Sequence, residues 1–259
     1  MNSRSSDVVF GFHAVLTLLR RTDDSPISRL FVLQGRQDQR MNEILNLAQQ
    51  RGIEIKRVGR QELDILTQGA RHQGVVVEGV ASAATTEVDL ASLLNGNHPH
   101  LLLLVLDGVQ DPHNLGACLR SAEAAGVTAV IAPKDRAVGI NPTVRKVACG
   151  AAEVIPFIQV TNLARALREM HESGVWIVGT AGEGSTSLYE TELTGRLAIV
   201  MGAEGEGMRR LTAEHCDALI HIPMAGVVES LNVSVATGVC LFEAVRQRRS
   251  RDKGSLLPA

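Results

Sequence analysis

Apolar and polar positions follow two different rhythms along this chain, one before residue 80 and one after residue 100. The opening stretch VVFGFHAVLTLLR, residues 8–20, predicts an extended start that turns helical after Gly11. Arg29 to Leu33 reads as a strand. Met41, Ile44, Leu45 and Ala48 recur at helical spacing, so a helix is predicted from Gln39 to Arg51, with Gly52 stopping it. Ile53 to Val58 and Val75 to Val80 read as strands, with a short helix near Glu62–Leu66 between them. Together these make a small α/β unit over residues 1–80. ASAATTE, residues 81–87, is small and polar, which predicts a linker. A short helical turn at Leu90 to Leu94 and the stretch from Gly96 to Pro99 carry that linker on to residue 98.

From Leu101 the pattern becomes a parallel α/β alternation. LLLLVL, residues 101–106, is apolar throughout, as in a strand buried on both faces. A helix is predicted from Leu115 to Ala125 with Leu115, Cys118, Leu119 and Ala122 inward and Gly126 ending it. Further strands are predicted at Val127–Ala132, Val154–Phe157, Val175–Thr180, Leu197–Met201 and Ala218–Ile222. Helices fill the gaps, one opening at Asn141 with Pro142 in the favoured first position and one from Asn162 to Glu172. A short helix is expected at Met208–His215. The last one, Leu231 to Val245, is apolar on nearly every side, which predicts a buried helix. The α/β domain so outlined covers 99–249, leaving 250–259 as a basic and then disordered tail.

Composition narrows the function classes. The chain has 259 residues, 45% of them apolar, enough for a sizeable core in one large or two modest domains. It has no run of 18 apolar residues and no apolar signal-peptide core, so a cytoplasmic protein without a membrane span is expected. Cys118, Cys149, Cys216 and Cys240 are scattered without CxxC or Cys/His spacing, which predicts free buried thiols and no zinc site. Net charge is −2, so bulk electrostatics does not announce a nucleic-acid binder. The first 78 residues carry 11 Lys/Arg against 9 Asp/Glu, a weak excess of positive charge. Aromatics are 3%, too few for stacking to dominate any RNA contact, which would then rest on phosphate charge and RNA shape.

Three segments carry candidate chemistry. In DPHNLGACLRSAEAAG, residues 111–126, Asn114 sits where the helix is predicted to start and reads as an N-cap. Arg120 lies roughly 140° from the centre of the apolar face, as a solvated arginine pairing with Glu123 would. LAIVMGAEGEGM, residues 197–208, has GxxGxG spacing; it is neither a dinucleotide fingerprint nor a phosphate loop. In IPMAGVVESLNVSVATG, residues 222–238, Ser230 and Asn232 stand at the start of the apolar helix. They read either as an N-cap or as polar groups beside a ligand drawn to the helix N-terminus. His13 and His72 are candidate RNA contacts or plain structural histidines.

Taken in order, these three segments resemble the three signatures of the SpoU (TrmH) family of RNA ribose 2'-O-methyltransferases. GFHAV and HQGVVV resemble the substrate-binding domain of the family's bacterial 23S ribosomal RNA members, a domain like ribosomal protein L30e. The resemblance implies an α/β protein whose C-terminal parallel-sheet SPOUT domain is tied in a deep trefoil knot and preceded by a small α/β L30e-like domain. It implies S-adenosylmethionine (SAM) as methyl donor without a metal, 23S ribosomal RNA as partner, a guanosine ribose 2'-OH in its peptidyl-transferase region as acceptor, and a homodimer. The catalytic residues it implies are Arg120, Asn114, Glu204, Ser230 and Asn232. For the donor it implies Gly202, Ile222, Met224 and Leu231, with Thr180, Ala181 and Gly182 matching less specifically.

A ribose 2'-OH is a poor nucleophile until it loses its proton, and arginine side chains stay protonated in proteins. Arg120 is therefore expected to stabilise the developing alkoxide, clamp a phosphate, or both; the base is Glu204 or the RNA phosphate itself. Two other readings remain open at this point: a non-catalytic RNA-binding protein on the same fold, and a nucleotide-dependent oxidoreductase, against which the glycine spacing weighs.

Overall fold

In the computed structural model the described residues are 8–20, 27–67, 69, 72–78, 87–205 and 207–254. The chain divides into two compact units, Met1–Ala83 with Cys149–Val154, and Ala84–Ala148 with Ile155–Ala259.

The first unit contains β1 (Val8–Phe10), α1 (Phe12–Arg20), β2 (Arg29–Leu33), α2 (Gln39–Gln50), β3 (Glu54–Val58), α3 (Arg60–Leu66) and β4 (Val75–Glu78). The sheet order is β1-β4-β2-β3, with β2 and β3 parallel and the other pairs antiparallel. Side chains alternate across it as a strand requires. Leu30 and Val32 face a core shared with Val15, Leu18, Met41 and Ile44 of α1 and α2, while Phe31 packs with Leu63 of α3. Asp38 caps α2, its side chain accepting from the Met41 N–H at 3.0 Å. The GFHAV and HQGVVV segments meet directly. The Phe12 N–H donates to Gln73 Oε1 at 3.0 Å, and the Arg36 guanidinium lies over the Phe12 ring. His72 is buried, with Nε2 3.0 Å from Asp64 and Nδ1 accepting from the Gly74 N–H. Both ring nitrogens are occupied, so His72 is a structural histidine; the His13 side chain lies outside the described residues.

The second unit begins with α4 (Glu87–Asn95) and continues through β5 (Leu102–Asp107), α5 (Pro112–Ala124), β6 (Ala129–Pro133), α6 (Pro142–Ala148), β7 (Phe157–Val160) and α7 (Leu163–Glu172). It ends with β8 (Trp176–Thr180), β9 (Thr186–Ser187), β10 (Leu197–Gly202), α8 (Arg210–Glu214), β11 (Ala218–His221) and α9 (Val233–Gly254). The sheet is parallel, in the order β7-β6-β5-β10-β8-β11-β9. Residues 102–106 of β5 are fully buried, as expected of a strand covered on both faces. Leu103 and Val105 share a core with Leu90 and Leu94 of α4 and with Leu163, Leu167 and Met170 of α7. Against α5 pack both α6 and α9. A Cβ on Gly116 would lie 2.7 Å from Val147 Cβ, so glycine permits the close approach of α5 and α6.

Several expectations shift. Of the linker read over 81–98, residues 81–86 lie outside the described residues, while Glu87–Asn95 are a helix seated in the second unit's core. The apolar run at 154–157 follows a 3-10 turn at Ala151–Glu153 and is irregular up to Pro156; the edge strand is Phe157–Val160, placed by pairing with β6. Helix α9 runs past the boundary at 249 to Gly254, so only 255–259 of the tail lie outside the description. Nor is α9 buried all round: Val233, Cys240, Leu241 and Ala244 are buried, but Val235 and Phe242 are about half exposed. No disulfide joins the four cysteines; Cys118 and Cys240 are buried and Cys149 and Cys216 half-buried. Burial pushes the Cys118 thiol up to about 11 and those of Cys216 and Cys240 to about 12.

Candidate active site

Strands β10, β8 and β11 are neighbours and parallel, so their carboxyl ends open at one edge of the sheet. Ligands of open α/β sheets bind at such an edge. Three candidate donor-binding segments meet there: Gly202 at the end of β10, Thr180 and Ala181 at the end of β8, and Ile222 just after β11. The Thr180 hydroxyl donates to the Val200 carbonyl at 3.2 Å, and the Ala181 N–H to the Ile220 carbonyl at 2.9 Å. His221 Nδ1 lies 2.9 Å from the Gly184 carbonyl, which ties the 181–184 turn to β11. Ile222 and Leu231 are half-buried and Met224 is exposed, so the loop that follows β11 presents apolar surface beside these strand ends. Apolar walls and side-chain-free backbone suit an adenosyl group.

Asn114, Glu204 and Asn232 come together beside this edge from three separate stretches of chain. Asn114 Nδ2 donates to Glu204 Oε2 at 3.1 Å, and Asn232 Nδ2 donates to Asn114 Oδ1 at 3.0 Å. Asn232 Oδ1 in turn accepts from the Ser234 N–H at 2.9 Å and the Ser234 hydroxyl at 2.6 Å. The bonds fix the orientation of both amides. They also link the first turn of a 22-residue helix, positive at its N-terminus, through two polar side chains to the Glu204 carboxylate. Asn232 therefore caps α9 and also contributes to the site. Asn114 does not cap α5: that helix opens at Pro112, and Asp111 is its N-cap, accepting from the His113 N–H at 2.8 Å. Asn114 is buried instead, its amide turned towards Glu204.

The other two catalytic candidates, Ser230 and Arg120, occupy exposed positions. Ser230 is exposed in the loop before α9. Arg120 is exposed six residues beyond Asn114 on α5, which puts it roughly 120° around the helix at 3.6 residues per turn.

The glycine loop is organised by its own backbone. A Cβ on Gly202 would lie 2.2 Å from the Gly207 carbonyl carbon and 2.3 Å from Met208 N. Ala203 and Gly207 exchange two backbone bonds of 3.0 Å, closing the neck of the loop that carries Glu204. Glycine at 202 is thus required by the returning chain.

One pair escaped the sequence reading. Asp107, at the end of β5 and opposite Gly202 in register, is buried and accepts from Arg209 N at 2.9 Å and Nε at 2.7 Å. Its signal is a single acid directly after six apolar residues. Among the described residues no group of three or more His, Cys, Asp and Glu could hold a metal ion.

Residues 101–242 match the family model for the SpoU rRNA Methylase family, and residues 8–82 match the model for RNA 2'-O ribose methyltransferase substrate binding. The chain is 58% identical over 245 residues to the 23S rRNA (guanosine-2'-O-)-methyltransferase RlmB of Photobacterium profundum, covering 95% of this chain and 99% of the relative. It is 56% identical over 243 residues to the enzyme of the same name from Escherichia coli K12, covering 94% and 99%. Among solved structures it is similar in fold to the SpoU methyltransferase AviRb from Streptomyces viridochromogenes in complex with the cofactor AdoMet. That match has a TM-score of 0.71 at 22% identity, over 95% of this chain and 91% of the other.

Proposed function

The chain belongs to the SpoU rRNA methylase family, and from that premise we infer that it transfers the methyl group of SAM to the ribose 2'-OH of a guanosine in 23S ribosomal RNA. The observation that carries catalysis is the Glu204–Asn114–Asn232 chain of bonds beside the open ends of β10, β8 and β11. Bound there, SAM supplies an electrophilic methyl carbon on its sulfonium, so the protein's work is orientation and charge. Gly202, Thr180, Ala181, Ile222, Met224 and Leu231 hold the donor through backbone and apolar contact.

Asn114 engages Oε2 of Glu204 and leaves the carboxylate exposed. Glu204 would accept the proton of the ribose hydroxyl as the oxygen–carbon bond forms and the methyl carbon–sulfur bond breaks, its electron pair staying on sulfur in the departing S-adenosylhomocysteine, and Ser230 and Asn232 would orient that hydroxyl. Arg120 stabilises the oxygen anion and clamps the neighbouring phosphate. It sits on another side of α5 from Asn114, which supports its supply by a second subunit in a homodimer. The exposed Val235 and Phe242 of α9, flanked by half-buried Val239 and Val245, support that interface. The last segment threads an earlier loop as the family's trefoil knot, and the first unit is the L30e-like RNA-binding domain. No described helix is long and apolar enough to cross a membrane. We place the enzyme in the cytoplasm with its substrate.

Incubating the protein with methyl-labelled SAM and 23S ribosomal RNA, then mapping 2'-O-methyl groups, tests the assignment. One labelled guanosine in the peptidyl-transferase region is expected. RNA binding without transfer would overturn it in favour of a non-catalytic RNA-binding protein.

A further inference from the structure

The loop that carries Glu204 is pinned at its neck by its own backbone. It runs from Gly202 to Arg209, and Gly205 and Gly207 both hold positive φ, +82° and +68°. Glycine-rich backbone loses more freedom on ordering than any other, so a single loop geometry needs an outside constraint. The Ala203–Gly207 bridge closes the neck, Asn114 bonds to Glu204 beyond it, and Asp107 holds Arg209 where the chain leaves the loop. The Asp107 carboxylate is 0% exposed and meets the Arg209 main chain with one oxygen and the guanidinium with the other, Nε at 2.7 Å and Nη2 at 2.5 Å.

An ion pair with its acid buried and its base half exposed adds little net stability once desolvation and solvent screening are counted; what it can contribute is a unique conformation. Its place matters as well. Asp107 is paired with Gly202 in the sheet and stands seven residues before Asn114. Asp107 thus ties the strand that leads to Asn114 to both ends of the loop that leads to Glu204, to Gly202 through the sheet backbone and to Arg209 through its carboxylate.

We propose that the Asp107–Arg209 pair is the positioning device that sets Glu204 against Asn114 for methyl transfer, an inference that rests on the placement of Glu204 given above. Arg209 is half exposed, so it can be changed without opening the core.

The test is a double-mutant cycle on the full-length protein with SAM and 23S ribosomal RNA, followed by single-turnover labelling so that slow variants stay measurable. Arg209→Gln should lower the rate about tenfold or more while leaving the KM for SAM near its original value. Arg209→Lys, which keeps a cation near Asp107, should recover part of the loss. In a Glu204→Ala background Arg209→Gln should add no further loss. Multiplying losses would overturn the proposal, as would an unchanged rate in Arg209→Gln. A raised RNA KM with a weaker salt dependence would overturn it too, making Arg209 a phosphate contact. An undiminished rate in Glu204→Ala would instead refute the placement of Glu204.

Discussion

Replacing Gly202 with alanine probes the site at its tightest point. The new Cβ would lie 2.2 Å from the Gly207 carbonyl carbon, 2.3 Å from Met208 N and 2.6 Å from Gly207 O, all backbone atoms. Ordinary contact begins at 3.4 Å, so something must retreat by about 1 Å. Gly202 itself is held in β10, paired with Asp107 of β5, so the loop is what moves. That loop carries Glu204, whose bond to Asn114 is 3.1 Å long and does not survive a shift of that size. Misplacing a reacting group by about 1 Å costs on the order of 100-fold in rate. Overpacking of this kind costs roughly 1–3 kcal/mol of stability. The assay is methyl transfer from labelled SAM to 23S ribosomal RNA, with kcat and the KM for SAM measured separately and a thermal melt as control. The expected result is a large fall in kcat in a folded protein. An unchanged kcat would refute the locked loop. A rise in the KM for SAM alone would put the added methyl against the donor instead.

Other changes test separate links. Asn114→Asp sets a carboxylate where the Nδ2 donor now meets Glu204 Oε2, so like charges face each other; kcat at neutral pH should fall on the order of 100-fold, and a wild-type rate would show that this hydrogen bond is not used. Phe242→Asp places a charge on the exposed apolar side of α9; sedimentation should show monomers, with activity lost and the melting temperature little changed. Glu87 accepts from the Thr161 N–H at 2.6 Å and pairs with Arg165, and the bond to Thr161 chiefly holds its carboxyl below the usual 4.5. The stability it contributes is therefore full above 4.5 and is lost as pH falls through its depressed folded value. Glu87→Gln should weaken that part of the acid transition in a circular-dichroism titration, and an identical acid limb in the variant would contradict it.

Local pattern foretold the elements wherever one residue's neighbours decide its state. The helix from Gln39 and the one after Asn162 are where spacing and caps put them, and the 101–106 run is a strand buried on both faces. The pattern misled where a partner strand chooses. Val154–Phe157 is as apolar as a strand, but β6 pairs with Phe157–Val160, because register is a property of two strands. The two polar residues of β9 carry no alternation at all, and only β11 makes them a strand. Asn114 stands close enough to the helix start to read as its cap, but Asp111, three residues earlier, does that work.

What the linear order of residues determined by itself was the two-part α/β organisation and the family, and it supplied the side chains we propose for the chemistry, since short motifs and periodicity are local. Only the folded chain decided how they meet. Asn114 reaches Glu204 and Asn232 across 90 and 118 residues. It also decided that Gly202 makes room for Gly207, and that Asp107 is a buried partner of Arg209. Those relations are set by sheet order and loop closure, which bring distant segments within bonding distance and leave no trace in the spacing of residues along the chain.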